Sequence, residues 1–182
     1  MNLKNLYKIF SAKRLSNYKD ELEHKNNFLL IQKLSSKLGV IEIATRNAVA
    51  SELDIKDDTF ISRQSFGYWA KIINEKSIHN KILNLKDMDF RKYASSNRKT
   101  SLRNFYKVRI CYDLLVKTRN RAFHFENLYK VKQITGGKST FCLPRISTLR
   151  NGEVIGIMPQ NLEIFLDDIL DCFDKDLKEY LK

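Results

Sequence analysis

The chain has 182 residues, with 33 Lys plus Arg against 21 Asp plus Glu, a formal net charge of +12 and a hydrophobic content of 43%. This length suits one domain with a single sizeable core, and with only six glycines and two prolines an all-β fold rich in tight turns is disfavoured. No stretch approaches the roughly 20 apolar residues that span a bilayer, and no apolar block of a signal peptide opens the chain.

Three separated helices are predicted in the first two thirds of the chain. A polar helical stretch at 16–22 leads into a long helix at 26–53, in which apolar residues recur every three or four positions and Gly39 is a point where the helix could bend. A second helix is predicted at 65–78 and contains the only tryptophan. The third, at 101–125, has Leu102, Phe105, Val108, Tyr112 and Leu115 along one side.

The pattern then changes. Residues 129–157 contain β-branched side chains, Gly-Gly and Asn-Gly, which predict a small β-hairpin or extended flap. Residues 161–181 return to helical spacing and predict a closing amphipathic helix. The segment "GGKST" at 136–140 resembles the end of a phosphate-binding loop, but Lys132 stands where that loop needs a glycine and no helix is expected to follow.

Positive charge is concentrated in the middle of the chain. Between residues 86 and 138 there are 14 basic residues and 4 acidic ones, whereas 160–182 is acidic. A field of this sign favours a polyanionic partner, and nucleic acid suits it better than a membrane surface. The odd number and wide spacing of the cysteines, together with the absence of an HExxH motif, lead us to expect free thiols in a cytoplasmic protein with no bound metal and no cofactor.

The stretch "TRNRAFHFEN" at 118–127 carries the most chemistry. Helical steps from the apolar stripe place Arg119 on the apolar side, where an unpaired arginine would cost several kcal/mol. It must therefore meet a carboxylate such as Glu42 or Glu126, line a solvent-filled cleft, or lie at an interface. Asn120 and His124 are four residues apart, so the amide is placed to orient the imidazole. The alternative is structural: an ion pair for Arg119 and a helix-capping role for His124.

Four segments in order, "FSAKRLSNY", "IEIATRNAV", "SFGYWAKII" and "RNRAFHFENL", resemble successive blocks of the Abi-like (AbiD/AbiF) abortive-infection family, whose RNxxxH signature belongs to HEPN ribonuclease domains. The resemblance implies one domain over 1–182 with an all-α, HEPN-type helical bundle, here with a small β-hairpin or extended insertion before the C-terminal helix. It also implies a dimer, a role in phage defence or a toxin–antitoxin system, RNA as substrate or partner, and Arg119, Asn120 and His124 as catalytic residues.

Residue chemistry is compatible with that activity. In metal-independent RNA cleavage the ribose 2′-hydroxyl attacks phosphorus, a histidine transfers protons and an arginine stabilises the phosphorane. The expected ends are a 2′,3′-cyclic phosphate and a 5′-hydroxyl, and two histidines would come from a homodimer that forms a composite site. Residues five apart on a regular helix point about 140° apart, so Arg119 and His124 converge only if the arginine curls round, the helix loosens, or a partner subunit intervenes.

Several further residues are candidates for supporting roles. Three residues are predicted to hold the side chains of the Arg119 site in position without contacting RNA themselves: Glu42, Arg46 and Glu126. Nine basic residues are candidates for contacts with the RNA backbone: Lys117, Arg121, Arg98, Lys99, Arg103, Lys107, Lys130, Lys132 and Lys138. Two alternatives to the endoribonuclease stay open, a non-catalytic RNA-binding protein that binds a specific structured non-coding RNA, and a helical interaction protein. A regulatory RNA or an antitoxin is a further expected partner.

Overall fold

The computed structural model describes residues 3–98, 101–136, 139–150 and 152–181. The described chain is about 62% helical and about 10% strand. Its helices are α1 (Leu3–Phe10), α2 (Ala12–Leu15), α3 (Glu21–Glu52), α4 (Asp58–Arg63), α5 (Phe66–Glu75), α6 (His79–Ile82), α7 (Asn104–Phe123), α8 (Leu162–Phe173) and α9 (Leu177–Tyr180), with short 3-10 turns at Phe90–Lys92 and Pro159–Asn161. Its strands are β1 (Val131–Gly136), β2 (Ser139–Pro144), β3 (Ile146–Arg150) and β4 (Glu153–Ile157).

The long helix α3 is the central element. Asp20 caps it by accepting a hydrogen bond from the Glu23 backbone N–H at 2.7 Å, so the helix begins before the predicted position 26, and it continues through Gly39 without interruption. Its buried positions recur at helical spacing and pack against α5, α7 and α8. The core that results is centred on fully buried side chains, among them Leu34, Leu38, Trp69, Leu115 and Phe165.

The all-α expectation is wrong, because two antiparallel sheets lie between α7 and α8. Strands β1 and β2 pair from Val131↔Pro144 to Gly136↔Ser139, and β3 pairs with β4 from Ile146↔Ile157 to Arg150↔Glu153. The second hairpin buries Ile146, Ile155 and Ile157 in the core. Burial of these β-branched side chains against α7 explains why residues 146–157 form a hairpin of their own instead of one flap over 129–157.

The other helices differ from prediction mainly at their ends. The helix predicted at 65–78 spans Phe66–Glu75, and the one predicted at 101–125 spans Asn104–Phe123. The closing helix is interrupted, since Asp174 adopts an extended conformation and its carboxylate accepts a hydrogen bond from the Asp176 N–H at 2.8 Å. The polar stretch at 16–22 is mostly a turn before α3. Within the described residues, no helix is both long enough and apolar enough to cross a membrane.

Candidate functional site

Arg119 lies near the C-terminal end of α7 and faces α3. Its Nε donates to Glu42 Oε2 at 3.1 Å, and the two side chains are 31% and 20% exposed. The guanidinium also lies 5.0 Å from the centre of the Phe123 ring. Of the two carboxylates considered from the sequence, Glu42 is therefore the partner of Arg119. The terminal nitrogens of the guanidinium make no hydrogen bond within the described chain, so they are available to an anion.

His124 ends the helix instead of continuing it. Its backbone N–H still bonds to Asn120 O at 3.0 Å, but Phe125 has a φ of +51°, a left-handed conformation that turns the chain away from the axis of α7. The His124 side chain is exposed, and its imidazole has no hydrogen bond, ion pair or ring contact among the described residues. His124 thus occupies a capping position with its backbone alone, and its imidazole is free for another role.

Asn120 does not orient that imidazole. Its side chain is exposed and makes no hydrogen bond to His124; the link between the two residues is through the backbone. The structure therefore does not support the prediction that the amide orients the imidazole: the backbone keeps its helical bond between the two residues, but their exposed side chains make no hydrogen bond to each other.

Three residues that the sequence did not single out hold the turn after α7. Asn27, which is fully buried on α3, donates to Glu126 O at 3.1 Å and to the Tyr18 hydroxyl at 3.2 Å, and accepts from the Leu128 N–H at 2.8 Å. The Tyr18 hydroxyl and Arg14 each donate to Phe125 O at 3.4 Å. Burial raises the pKa of Tyr18 despite the opposing charge of Arg14, so the hydroxyl remains a donor at neutral pH. The signal available in the sequence was a single asparagine in the buried stripe of α3.

Glu126 supports this turn and makes no contact with Arg119. Its Oε2 accepts from Arg121 at 2.6 Å and also pairs with Arg145. Partial burial pushes the pKa of Glu126 upward, but the hydrogen bond from Arg145 and the charge of Arg121 outweigh that effect, and the pKa is lowered overall. The carboxylate therefore stays ionised and compensates both arginines, so Arg121 is not a free cation for RNA.

Arg46 is not part of the Arg119 ion pair. It lies one turn along α3 from Glu42, but Glu42 bonds to Arg119, and the buried Nε of Arg46 has no hydrogen-bond partner among the described atoms. Of the predicted pair Glu42 and Arg46, only Glu42 therefore contacts Arg119.

The predicted RNA-binding residues do not form one patch. Arg103 precedes α7, so about 21 residues at 1.5 Å each place it about 30 Å from His124 along the helix. Lys107 donates to Met88 O at 2.7 Å and Lys117 to Ser147 O at 2.6 Å, so both amines bind other segments of the chain and stabilise their packing on α7. Three others are exposed and carry no salt bridge within the described chain: Arg98, Lys130 and Lys132. Lys99 and Lys138 lie outside the described residues.

Comparisons with family models, with curated proteins and with solved structures each return nothing. Among the described residues, no three His, Cys, Asp or Glu side chains gather where they could hold a metal ion. The chemistry of Arg119 and His124, together with their surroundings, is therefore what supports a function.

Proposed function

We propose that this protein is a metal-independent endoribonuclease of the Abi-like (AbiD/AbiF) type that acts as a toxin in phage defence. One observation carries the proposal: the end of α7 holds an arginine that is bonded to Glu42 and has free terminal nitrogens, and five residues further on an exposed histidine without a partner among the described residues. A structural ion pair alone would explain Arg119. It would leave the exposed, unpartnered imidazole of His124 without a role.

The proposed reaction uses the substrate's own nucleophile. The ribose 2′-oxygen attacks the adjacent phosphorus and the bond from phosphorus to the 5′-oxygen breaks, which leaves a 2′,3′-cyclic phosphate and a 5′-hydroxyl. His124 takes the proton from the 2′-hydroxyl or gives one to the departing 5′-oxygen. Arg119 donates through its terminal nitrogens to the phosphorane oxygens, and Glu42 positions the guanidinium through Nε.

The second histidine that acid–base catalysis needs comes, in this proposal, from a second copy of the chain. The other two histidines of the chain, His24 and His79, are only 6% and 0% exposed and are unsuited to meet a substrate. Beside the site, Phe123 is 48% exposed, an apolar side chain suited to a two-fold contact that brings two copies of His124 together.

Purified variants test the proposal on labelled total RNA in EDTA. His124→Ala is expected to lower the cleavage rate about 10²–10⁴-fold, the usual contribution of proton transfer, while the melting temperature stays within a degree or two because the side chain has no partner. Arg119→Lys keeps the charge but loses the planar fork, so we expect a large loss of rate with RNA affinity retained. Lys33→Ala, at an exposed position on α3, is the control and is expected to leave the rate unchanged.

A second candidate is a non-catalytic protein that binds a structured non-coding RNA. The net charge of +12 and the exposed cations Arg98, Lys130 and Lys132 favour RNA binding without specifying cleavage. This candidate predicts tight, salt-dependent retention of RNA by the wild type and by His124→Ala alike, with no new RNA ends in either.

A further inference from the structure

A cavity of about 280 Å³ opens directly beside the turn that carries His124. On one side it is lined by Lys13, Arg14 and Tyr18, from α2 and the turn that follows it, and on the other by Phe125 and Arg145. Its size is near the lower end of the range of about 300–1,000 Å³ that is typical of small-ligand sites. His124 itself does not line the cavity, but Phe125, the residue that follows it, does, so anything held there contacts the turn that carries the proposed catalytic histidine.

The charge of the cavity is positive and largely uncompensated. Lys13 and Arg14 are exposed, and neither has a carboxylate partner within the described chain. The one carboxylate at the wall, Glu126, is occupied by Arg121 and Arg145, and the buried Nε of Arg145 has no hydrogen-bond partner among the described atoms. Lys13 and the remaining nitrogens of Arg14 and Arg145 are donors without acceptors among the described atoms, so they favour an anion with several oxygens, such as a phosphate diester.

An aromatic surface lies beside the cations. The Phe125 ring stacks on Phe28 with centroids 5.4 Å apart and an angle of 29° between the planes, and 43% of Phe125 remains exposed. A ring supported from behind and open in front is a platform on which a nucleobase stacks. Phosphate donors next to such a platform match the two halves of a nucleotide.

We infer that this cavity holds the nucleotide adjacent to the scissile phosphate of a single-stranded RNA, with its phosphate on Lys13 and Arg14 and its base against Phe125. The inference rests on the proposed function, since it assigns a binding subsite to the same reaction. It also explains the position of α2: the helix brings two cations without a described carboxylate partner to the turn that follows the proposed catalytic histidine, more than 100 residues further along the chain.

The test is the affinity for a short, fluorescein-labelled, single-stranded oligoribonucleotide, measured by anisotropy in the His124→Ala background so that the RNA stays intact. Adding Lys13→Gln and Arg14→Gln is expected to weaken binding about tenfold, and to reduce the slope of log K against log salt by about 1.4, because two single-strand phosphate contacts are lost. The matched control instead adds Lys33→Gln and Arg63→Gln, which remove two exposed cations elsewhere with no salt bridge in the described chain. Its net charge equals that of the cavity double variant, and its loss of RNA affinity is expected to be much smaller.

Two further variants separate local binding from damage to the turn. Lys13→Gln alone removes an ammonium group with no described partner, so its weaker binding cannot be attributed to the Arg14 bond to Phe125 O. Phe125→Leu is expected to weaken binding with little change in the salt slope, because stacking is lost and no charge is removed.

Equal affinity of the cavity double variant and its matched control overturns the subsite, even where the wild type cleaves RNA and His124→Ala does not. Failure of the wild type to cleave, with RNA bound through Lys13 and Arg14, overturns the proposed endoribonuclease and with it the catalytic meaning of the subsite. If His124→Ala without further substitutions binds no RNA, both the subsite and the proposed endoribonuclease are overturned.

Discussion

Replacing Asn27 by Leu is predicted to release the turn that carries His124. The asparagine joins α3 to this turn through its bonds to Glu126 O and the Leu128 N–H, and joins it to Tyr18 through the hydroxyl. Leucine has a similar size but neither donor nor acceptor, so it fills the space without replacing these bonds.

The expected loss of stability follows from the groups left unpaired. The Leu128 N–H is buried and the Glu126 carbonyl is partly buried, and each buried group without a partner costs about 1–3 kcal/mol. With the full range for the buried N–H and the lower end for the partly buried carbonyl, we expect Asn27→Leu to lower the free energy of unfolding by about 2–4 kcal/mol. Cleavage is predicted to fall as well, because His124 no longer has a defined position.

Asn97→Leu is the matched control. Asn97 is 4% exposed and, like Asn27, makes three hydrogen bonds, here all to backbone: it donates to Phe90 O at 2.7 Å and Gly156 O at 2.8 Å and accepts from the Gly156 N–H at 2.9 Å. Urea unfolding should show a similar loss for both variants, while hydrogen exchange of the Leu128 amide should accelerate in Asn27→Leu alone, measured under conditions where both stay folded. Unchanged protection of Leu128 in Asn27→Leu, or equal acceleration in the two variants, would refute the assigned role.

Three further substitutions test the fold. Burial and the charge of Arg14 lower the pKa of His24 below its ordinary 6.5. The unfolded chain therefore binds the proton more readily than the folded chain, and the free energy of unfolding falls as the pH drops below about 6.5. In urea titrations His24→Phe should lose less of this free energy between pH 7 and 5 than the wild type does, and an equal loss would contradict this. Gly39→Ala meets nothing within 4 Å in the middle of α3 and should raise the free energy of unfolding by about 0.5–1 kcal/mol. At Gly156 a Cβ would lie 2.5 Å from Pro144 Cγ, so Gly156→Ala should cost about 1–3 kcal/mol, and neutrality there would show that the strand contact is looser than described.

The sequence was most informative where the chain is locally regular. The spacing of apolar residues indicated α3 and α7, and extension of the α7 stripe placed Arg119 on the apolar side; of the surroundings that this left open for Arg119, the structure shows a carboxylate, Glu42. These predictions succeed because a helix's buried face is determined by residues within a few turns of one another.

Interactions between segments far apart in the sequence could not be predicted from such patterns. The bond from Asn27 to Glu126 O joins residues 99 positions apart, and no local pattern shows that this asparagine secures a distant turn. The division of residues 129–157 into two hairpins depends on burial of β3 and β4 against α7, and the end of α7 at Phe123 depends on the left-handed Phe125.

The 3′ ends that the protein leaves on RNA in EDTA test the central claim most directly. A single labelled RNA is incubated with the wild type and with His124→Ala, after the two proteins have been shown to melt at the same temperature. The ends produced are then mapped and identified chemically. We expect 2′,3′-cyclic phosphate ends with the wild type and none above background with His124→Ala. Cleavage by both proteins at the same rate, or no cleavage by either while RNA is bound, would contradict it.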